Sequence, residues 1–103
     1  MKQKLFFLIG CLFFLVFASN AFSGPAIELK WANYFPVPAK QSKICEEFIK
    51  DIEAKTNGKV KFSFFTAGTL LTAPKIYDGV VQGIADIGFS NIGYTYGRFK
   101  VTE

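Results

Sequence analysis

The sequence contains no histidine. That absence removes Ser–His and Cys–His catalytic pairs, histidine metal ligands and histidine pH switches. Two cysteines, Cys11 and Cys45, are too few for a cysteine-only zinc site or a disulfide-rich miniature fold. Arginine occurs once, at Arg98, and there is no block of lysine and arginine of the kind that grips nucleic acid, so no nucleic-acid partner is expected. Phosphate-cradling glycine loops, nucleophile elbows and metal-ligand spacings are missing too. With no nucleophile–base constellation the chain does not read as an enzyme, and no metal or cofactor is expected.

What is present is unevenly spread. The chain has 103 residues, half of them apolar, with a formal charge of +4; that is room for about one small domain. Residues 1–21 hold 15 apolar residues, five of the 13 phenylalanines and no acidic side chain. The other 82 residues carry ten basic and eight acidic side chains, so half of the net charge belongs to the first segment.

That segment has the layout of a secretory signal peptide. Lys2 and Lys4 precede an apolar run from Leu5 to Ala18, broken only by Gly10, and Ser19, Asn20 and Ala21 follow. Small residues suit a cut after Ala21, or after Ser23. The run is 14 residues long, short of the roughly 20 that a permanent membrane helix needs; the alternative is an uncleaved N-terminal anchor. Leu8-Ile9-Gly10-Cys11 resembles a lipidation box, but the apolar stretch continues past Cys11, where a lipidation box ends. The expected division is therefore a signal peptide over residues 1–21 and an exported, periplasmic part over residues 22–103. Cleavage leaves Cys45 as the single cysteine, which excludes an internal disulfide and suggests a small buried hydrophobe.

Ile27 to Ala32 alternates apolar and polar residues, which predicts a strand. Pro36 and Pro38 then delay any helix. From Gln41 to Lys55, Ile44, Cys45, Phe48, Ile49 and Ile52 form one apolar stripe of a helix. Ser42 is a candidate cap at its start, and Asn57-Gly58 supplies a left-handed stop. Lys59 to Phe65 alternates again as a second strand. Pro74 opens a second helix, with Ile76, Tyr77, Val80, Val81 and Ile84 as its stripe and Gly83 as its end. Ala85 to Phe89 reads as a third, mostly buried strand, and Ser90 to Phe99 as an irregular stretch rich in glycine and tyrosine. Asp78 and Asp86 have no evident partner; Asp86 reads as a turn or cap residue. A βαβαβ order implies an α/β fold with parallel strands and right-handed crossovers.

In such a sheet, ligands bind outside the carboxyl ends of the strands. Those ends are Asn33-Tyr34-Phe35, Thr66 to Thr72, and Ser90-Asn91. Hydroxyl, amide and aromatic groups there suit a small polar solute. The pattern is equally compatible with Tyr34, Phe35 and Phe65 being core aromatics.

Three stretches resemble the solute receptors of tripartite ATP-independent periplasmic (TRAP) transporters, the dicarboxylate-receptor (DctP-like) family. They are Leu29-Lys30-Trp31-Ala32-Asn33, then Ile52 to Phe64, and then Gly68-Thr69-Leu70-Leu71 followed by Tyr77 to Gly88 and Tyr94-x-x-Gly97-Arg98-Phe99. The segment Gln82 to Phe89 is the most characteristic, and the resemblance spans residues 27–103. It implies a periplasmic-binding-protein-like fold of two lobes around a cleft, of which this chain is the βαβαβ part of the first lobe. It also implies capture of a small organic acid, dicarboxylate-like, and delivery to TRAP membrane permease subunits driven by an ion gradient. By the same resemblance Asn33, Thr72, Ser90 and Asn91 match cleft-edge positions, to which the pattern adds Tyr34. The chain departs from the family at Lys100, where proline is usual, and in length, since these receptors are about three times longer. The arginine that grips the ligand carboxylate lies later in the family, so Arg98 is not given that role. The expectation is a truncated receptor that cannot bind alone; the alternative is a freestanding small secreted interaction domain.

Overall fold

Strands and helices alternate along the chain, as the change of period from two to 3.6 and back implies. A computed structural model describes residues 24–101. The expected leader over residues 1–21, its cut after Ala21 or Ser23, and Cys11 lie outside the described residues. The elements are β1 (Ile27–Asn33), α1 (Lys40–Lys55), β2 (Val60–Phe65), α2 (Ile76–Val81) and β3 (Ile87–Phe89). Short 3-10 turns, Ala73–Lys75 and Ile92–Thr95, precede α2 and follow β3.

The three strands form one sheet in the order β2-β1-β3, parallel throughout. Ile27 pairs with Val60 and Ala32 with Phe65 on one side of β1. Trp31 pairs with Ile87 and Asn33 with Phe89 on the other. The chain thus steps from β1 to β2 in one direction and from β2 back past β1 in the other. Two crossovers of one hand that run in opposite directions put their helices on opposite faces. That is the arrangement found: Trp31 meets Phe48 of α1 on one face, and Ala32 packs with Ile76 of α2 on the other.

On the α1 face, Trp31 sits among Phe48, Phe62 and Phe64, with ring centroids 5.8–6.1 Å apart. On the α2 face, Ala32, Ile76 and Ala85 are buried, with Tyr34, Leu70, Leu71 and Val80 against them. Two glycines make this second layer possible. A Cβ at Gly79 would collide with the Leu71 side chain, and one at Gly88 would lie 2.5 Å from Ile76 Cγ2 and 2.9 Å from Val80 Cγ2. α2 therefore approaches the sheet more closely than any larger residue at position 88 permits.

Several expectations about the helices need correction. The line of α1 that faces the sheet runs through Ser42, Cys45, Ile49 and Ile52, a 3-4-3 spacing. Ile44 is 65% exposed and lies off this line, whereas Phe48, 49% exposed, still meets Trp31 edge-on. Ser42 is not the cap of α1: that position belongs to Ala39, which makes no side-chain cap bond, and the helix starts at Lys40. The stretch expected to be one helix from Pro74 to Gly83 is a 3-10 turn followed by six residues of α2. Its stripe also overreaches, since Val81 and Ile84 are exposed. The two expected stops are as read: Asn57 and Gly58 take φ 51° and 74°, and Gly83 takes 76°. Among the described residues no helix is long and apolar enough to cross a membrane.

Candidate ligand-binding edge

The central strand is the first in sequence, and its neighbours continue into loops on either side. This is a topological switch point, where the two crossovers part and leave a crevice at the carboxyl ends. Asn33 and Tyr34 leave β1 there, and Ser90 and Asn91 leave β3 there.

Asn33 is at the edge but not on its surface. It is 1% exposed. Its Nδ2 donates to Ser42 Oγ at 2.8 Å, and its Oδ1 accepts from the Phe35 N–H at 3.0 Å. Ser42, 0% exposed, donates in turn to the Pro36 carbonyl at 2.8 Å, with the Phe35 carbonyl a second acceptor at 3.2 Å. The backbone completes the web. Gly68 N–H donates to the Asn33 carbonyl at 3.1 Å and Ala67 N–H to that of Phe35 at 2.9 Å. Ala67 and Gly68 both take positive φ to do so, 54° and 70°. The Asn33 amide holds the loop after β1 to α1, and the Asn33 and Phe35 carbonyls hold it to the loop after β2.

That brace sets two rings. The Tyr34 and Phe35 rings lie 4.1 Å apart, Tyr34 meets Tyr94 edge-on at 5.3 Å, and Phe35 lies 5.5 Å from Phe89. Four aromatics thus run across the switch point. The pattern left Tyr34 and Phe35 open between core and cleft; both are half-buried and touch ring partners on their neighbours.

Thr72 is exposed and precedes the 3-10 turn, its carbonyl accepting from Lys75 N–H at 2.8 Å. Ser90 Oγ donates to the Ala73 carbonyl at 3.3 Å, which ties the end of β3 to that turn. Asn91 Oδ1 accepts from Gly93 N–H at 3.2 Å and starts the last 3-10 turn. A cavity of about 220 Å³ opens beside them, lined by Ile76, Tyr77, Val80, Ser90, Asn91 and Phe99 among others. Of the five expected residues only Ser90 and Asn91 line it; Asn33, Tyr34 and Thr72 do not.

The charges near the cavity are spent on structure. Arg98 pairs with Asp78 at 2.7 Å, and its guanidinium carbon lies 5.3 Å over the Tyr77 ring. Asp78, which had no evident partner in the sequence, has one here. Asp86 likewise acts across the sheet: its Oδ2 accepts from Lys30 N–H at 2.8 Å, and its own N–H donates to the Lys30 carbonyl at 2.9 Å. No group of three or more potential metal ligands exists among the described residues. Sequence reasoning missed Phe89 and Tyr94 as parts of the edge. Their only signal was aromatic content beside the glycines that follow the third strand.

A family model for bacterial extracellular solute-binding proteins, family 7, matches residues 34–103. The chain belongs to that family. It is similar to a TRAP periplasmic solute-binding protein from Desulfovibrio salexigens, at 36% identity and TM-score 0.67 over 71% of this chain and 23% of that one. A TRAP solute-binding protein from a marine metagenome, specific for aromatic acids and solved with 3-hydroxybenzoate, matches at 31% identity and TM-score 0.70, over 74% of this chain and 24% of that one. A third, from a Sulfitobacter species with bound β-D-galacturonate, matches at 26% identity and TM-score 0.62, over 66% of this chain and 23% of that one. The chain spans about a quarter of the length of these solved relatives, and its α/β sheet corresponds to part of one of their lobes.

Proposed function

We propose that this family 7 chain forms the ligand-facing part of one lobe of an extracytoplasmic receptor that captures a small organic acid for a TRAP transporter. Tyr34, Thr72, Ser90 and Asn91 offer ring and polar surface to the solute, and Asn33 holds the loop that presents Tyr34. The receptor passes its cargo to the membrane permease subunits of an ion-gradient-driven carrier, and it reaches the periplasm through the leader over residues 1–21. The observation that supports this reading best is the placement of Tyr34, Ser90 and Asn91 at the switch point between β1 and β3 in a chain of this family. The solved relatives differ in cargo, an aromatic acid in one and galacturonate in another, so the acid need not be a dicarboxylate.

The test uses the receptor as its gene encodes it, isolated from the periplasm. Titration calorimetry with succinate, benzoate and galacturonate is expected to show saturable binding of at least one, and residues 24–101 alone are expected to show none. Absence of binding with the whole acid panel counts against the reading. Mass spectrometry of the same preparation is expected to find Phe22 or Gly24 as the first residue.

A further inference from the structure

We infer that Ser42 is a positioning residue for solute capture: its hydroxyl touches no solute, yet it fixes the loop after β1 on which the carboxyl edge is built. The inference rests on the receptor reading above and adds to it a residue that lies outside the crevice.

The start of α1 gives the first observation. The helix begins at Lys40 behind Ala39, which makes no side-chain cap bond. A serine that served the helix would take the place of Ala39, where its oxygen accepts from the first free N–H groups. Ser42 stands three residues later, and its hydroxyl turns back to the loop. It donates to the Pro36 carbonyl at 2.8 Å, with the Phe35 carbonyl at 3.2 Å, and accepts from Asn33 Nδ2 at 2.8 Å. A hydroxyl donates and accepts at one atom, so one short side chain holds both ends of the loop.

Burial is the second observation. Ser42 is 0% exposed and Asn33 1%, so no water competes for these bonds and the loop keeps one geometry. Both residues are enclosed by their own neighbours, and no solute reaches the hydroxyl.

The third observation is where that geometry leads. The Tyr34 ring meets Tyr94 at 5.3 Å, and Tyr94 belongs to the turn Ile92–Thr95. The Phe35 ring meets Phe89 at 5.5 Å, and Phe89 ends β3 just before Ser90. Ser90, Ile92 and Thr95 line the cavity. Movement of the braced loop therefore reaches the cavity wall through two ring contacts. Groups already held in place bind more tightly than groups that must be ordered on contact.

The experiment compares Ser42→Ala with Thr56→Ala in the receptor as its gene encodes it. Thr56 also bridges two groups, donating to the Ile52 carbonyl at 2.8 Å and accepting from Val60 N–H at 3.2 Å. It does so at the opposite end of the sheet, where Val60 pairs with Ile27. The probe is whichever of succinate, benzoate and galacturonate binds the parent most tightly in calorimetry. Ser42→Ala is expected to weaken it about tenfold, or about 1.4 kcal/mol, and Thr56→Ala less than about twofold, both read well below their melting temperatures. Hydrogen exchange at Phe35, Ala67 and Gly68 is expected to speed up in Ser42→Ala alone. If Ser42→Ala does not fold, Ser42→Cys, a weaker donor and acceptor of similar size, takes its place with the same direction of change. Parental affinity in the Ser42 variant, or an equal loss in Thr56→Ala, overturns the positioning role while leaving an acid receptor in place. Failure of all three acids with the parent overturns both readings.

Discussion

Removing the hydroxyl of Ser42 tests how the buried polar web shapes the carboxyl edge of the sheet. In Ser42→Ala the Pro36 carbonyl loses one donor but keeps the Ala39 N–H at 3.1 Å, and the Phe35 carbonyl keeps the Ala67 N–H at 2.9 Å. Both acceptors stay satisfied. The group left without its partner is Asn33 Nδ2, which donated to Ser42 at 2.8 Å from a residue 1% exposed. A buried donor stranded in this way costs about 1–3 kcal/mol. Alanine's better helix propensity in α1 offsets roughly 0.5 kcal/mol of that. The net expectation is a destabilisation of about 1–2 kcal/mol in urea unfolding of the purified protein, with an unchanged m-value. Thr69→Ala is the comparison: its hydroxyl also donates to a carbonyl, that of Thr66 at 2.8 Å, but in an exposed turn, and it is expected to cost no more than about 0.5 kcal/mol. A Ser42→Ala protein as stable as its parent would refute the reasoning, since it would show that the Asn33 amide finds another partner at no cost.

Two further perturbations probe the other face and the buried thiol. Gly88→Ala drives a methyl group to 2.5 Å from Ile76 Cγ2 and 2.9 Å from Val80 Cγ2, and is expected to lower stability by about 1–3 kcal/mol; Val80→Ala in the same chain should recover part of the loss, and thermal melts read both. Burial pushes the Cys45 thiol pKa up, the carboxylate of Glu46 adding to the rise and a backbone hydrogen bond opposing it, so native protein should react far more slowly with a thiol reagent at pH 8 than protein in urea. Because the folded value is the higher one, this residue's contribution to stability is intact below the unfolded thiol's pKa and declines as pH rises through the folded value. A melt curve flat across that alkaline range in wild type, or identical to that of Cys45→Ala, would contradict this.

Period and punctuation made the α/β order legible. Alternation over Ile27 to Ala32 and Lys59 to Phe65, and the left-handed stop at Asn57-Gly58, correspond to β1, β2 and the end of α1. Errors arose where a polar residue belongs to the interior. Apolar spacing alone placed Ile44 in the α1 stripe, but Ser42 occupies the buried line and Ile44 is exposed, while Phe48 keeps an edge-on contact with Trp31. The same blindness hid the role of Asn33: an amide at a strand end reads as available surface, and only its partner nine residues on shows that it is committed. Asp78 and Asp86 seemed solitary because their partners, Arg98 and Lys30, are distant in sequence. Tyr94 was passed over because irregular glycine-rich stretches carry no period from which to tell an inward ring from an outward one.

The order β2-β1-β3 also bears on how the sheet comes into being. Its middle strand is made first, yet it gains its second neighbour only when Asp86 joins Lys30 across a separation of 56 residues. Parallel pairing allows no shortcut through a tight turn, so each neighbour of β1 must be recruited by closing a long loop around a helix. Such non-local contacts raise contact order and slow folding. The newly made chain therefore carries β1 with one edge open until residues 87–89 arrive. The strand that organises the whole edge is the one that waits longest to be enclosed.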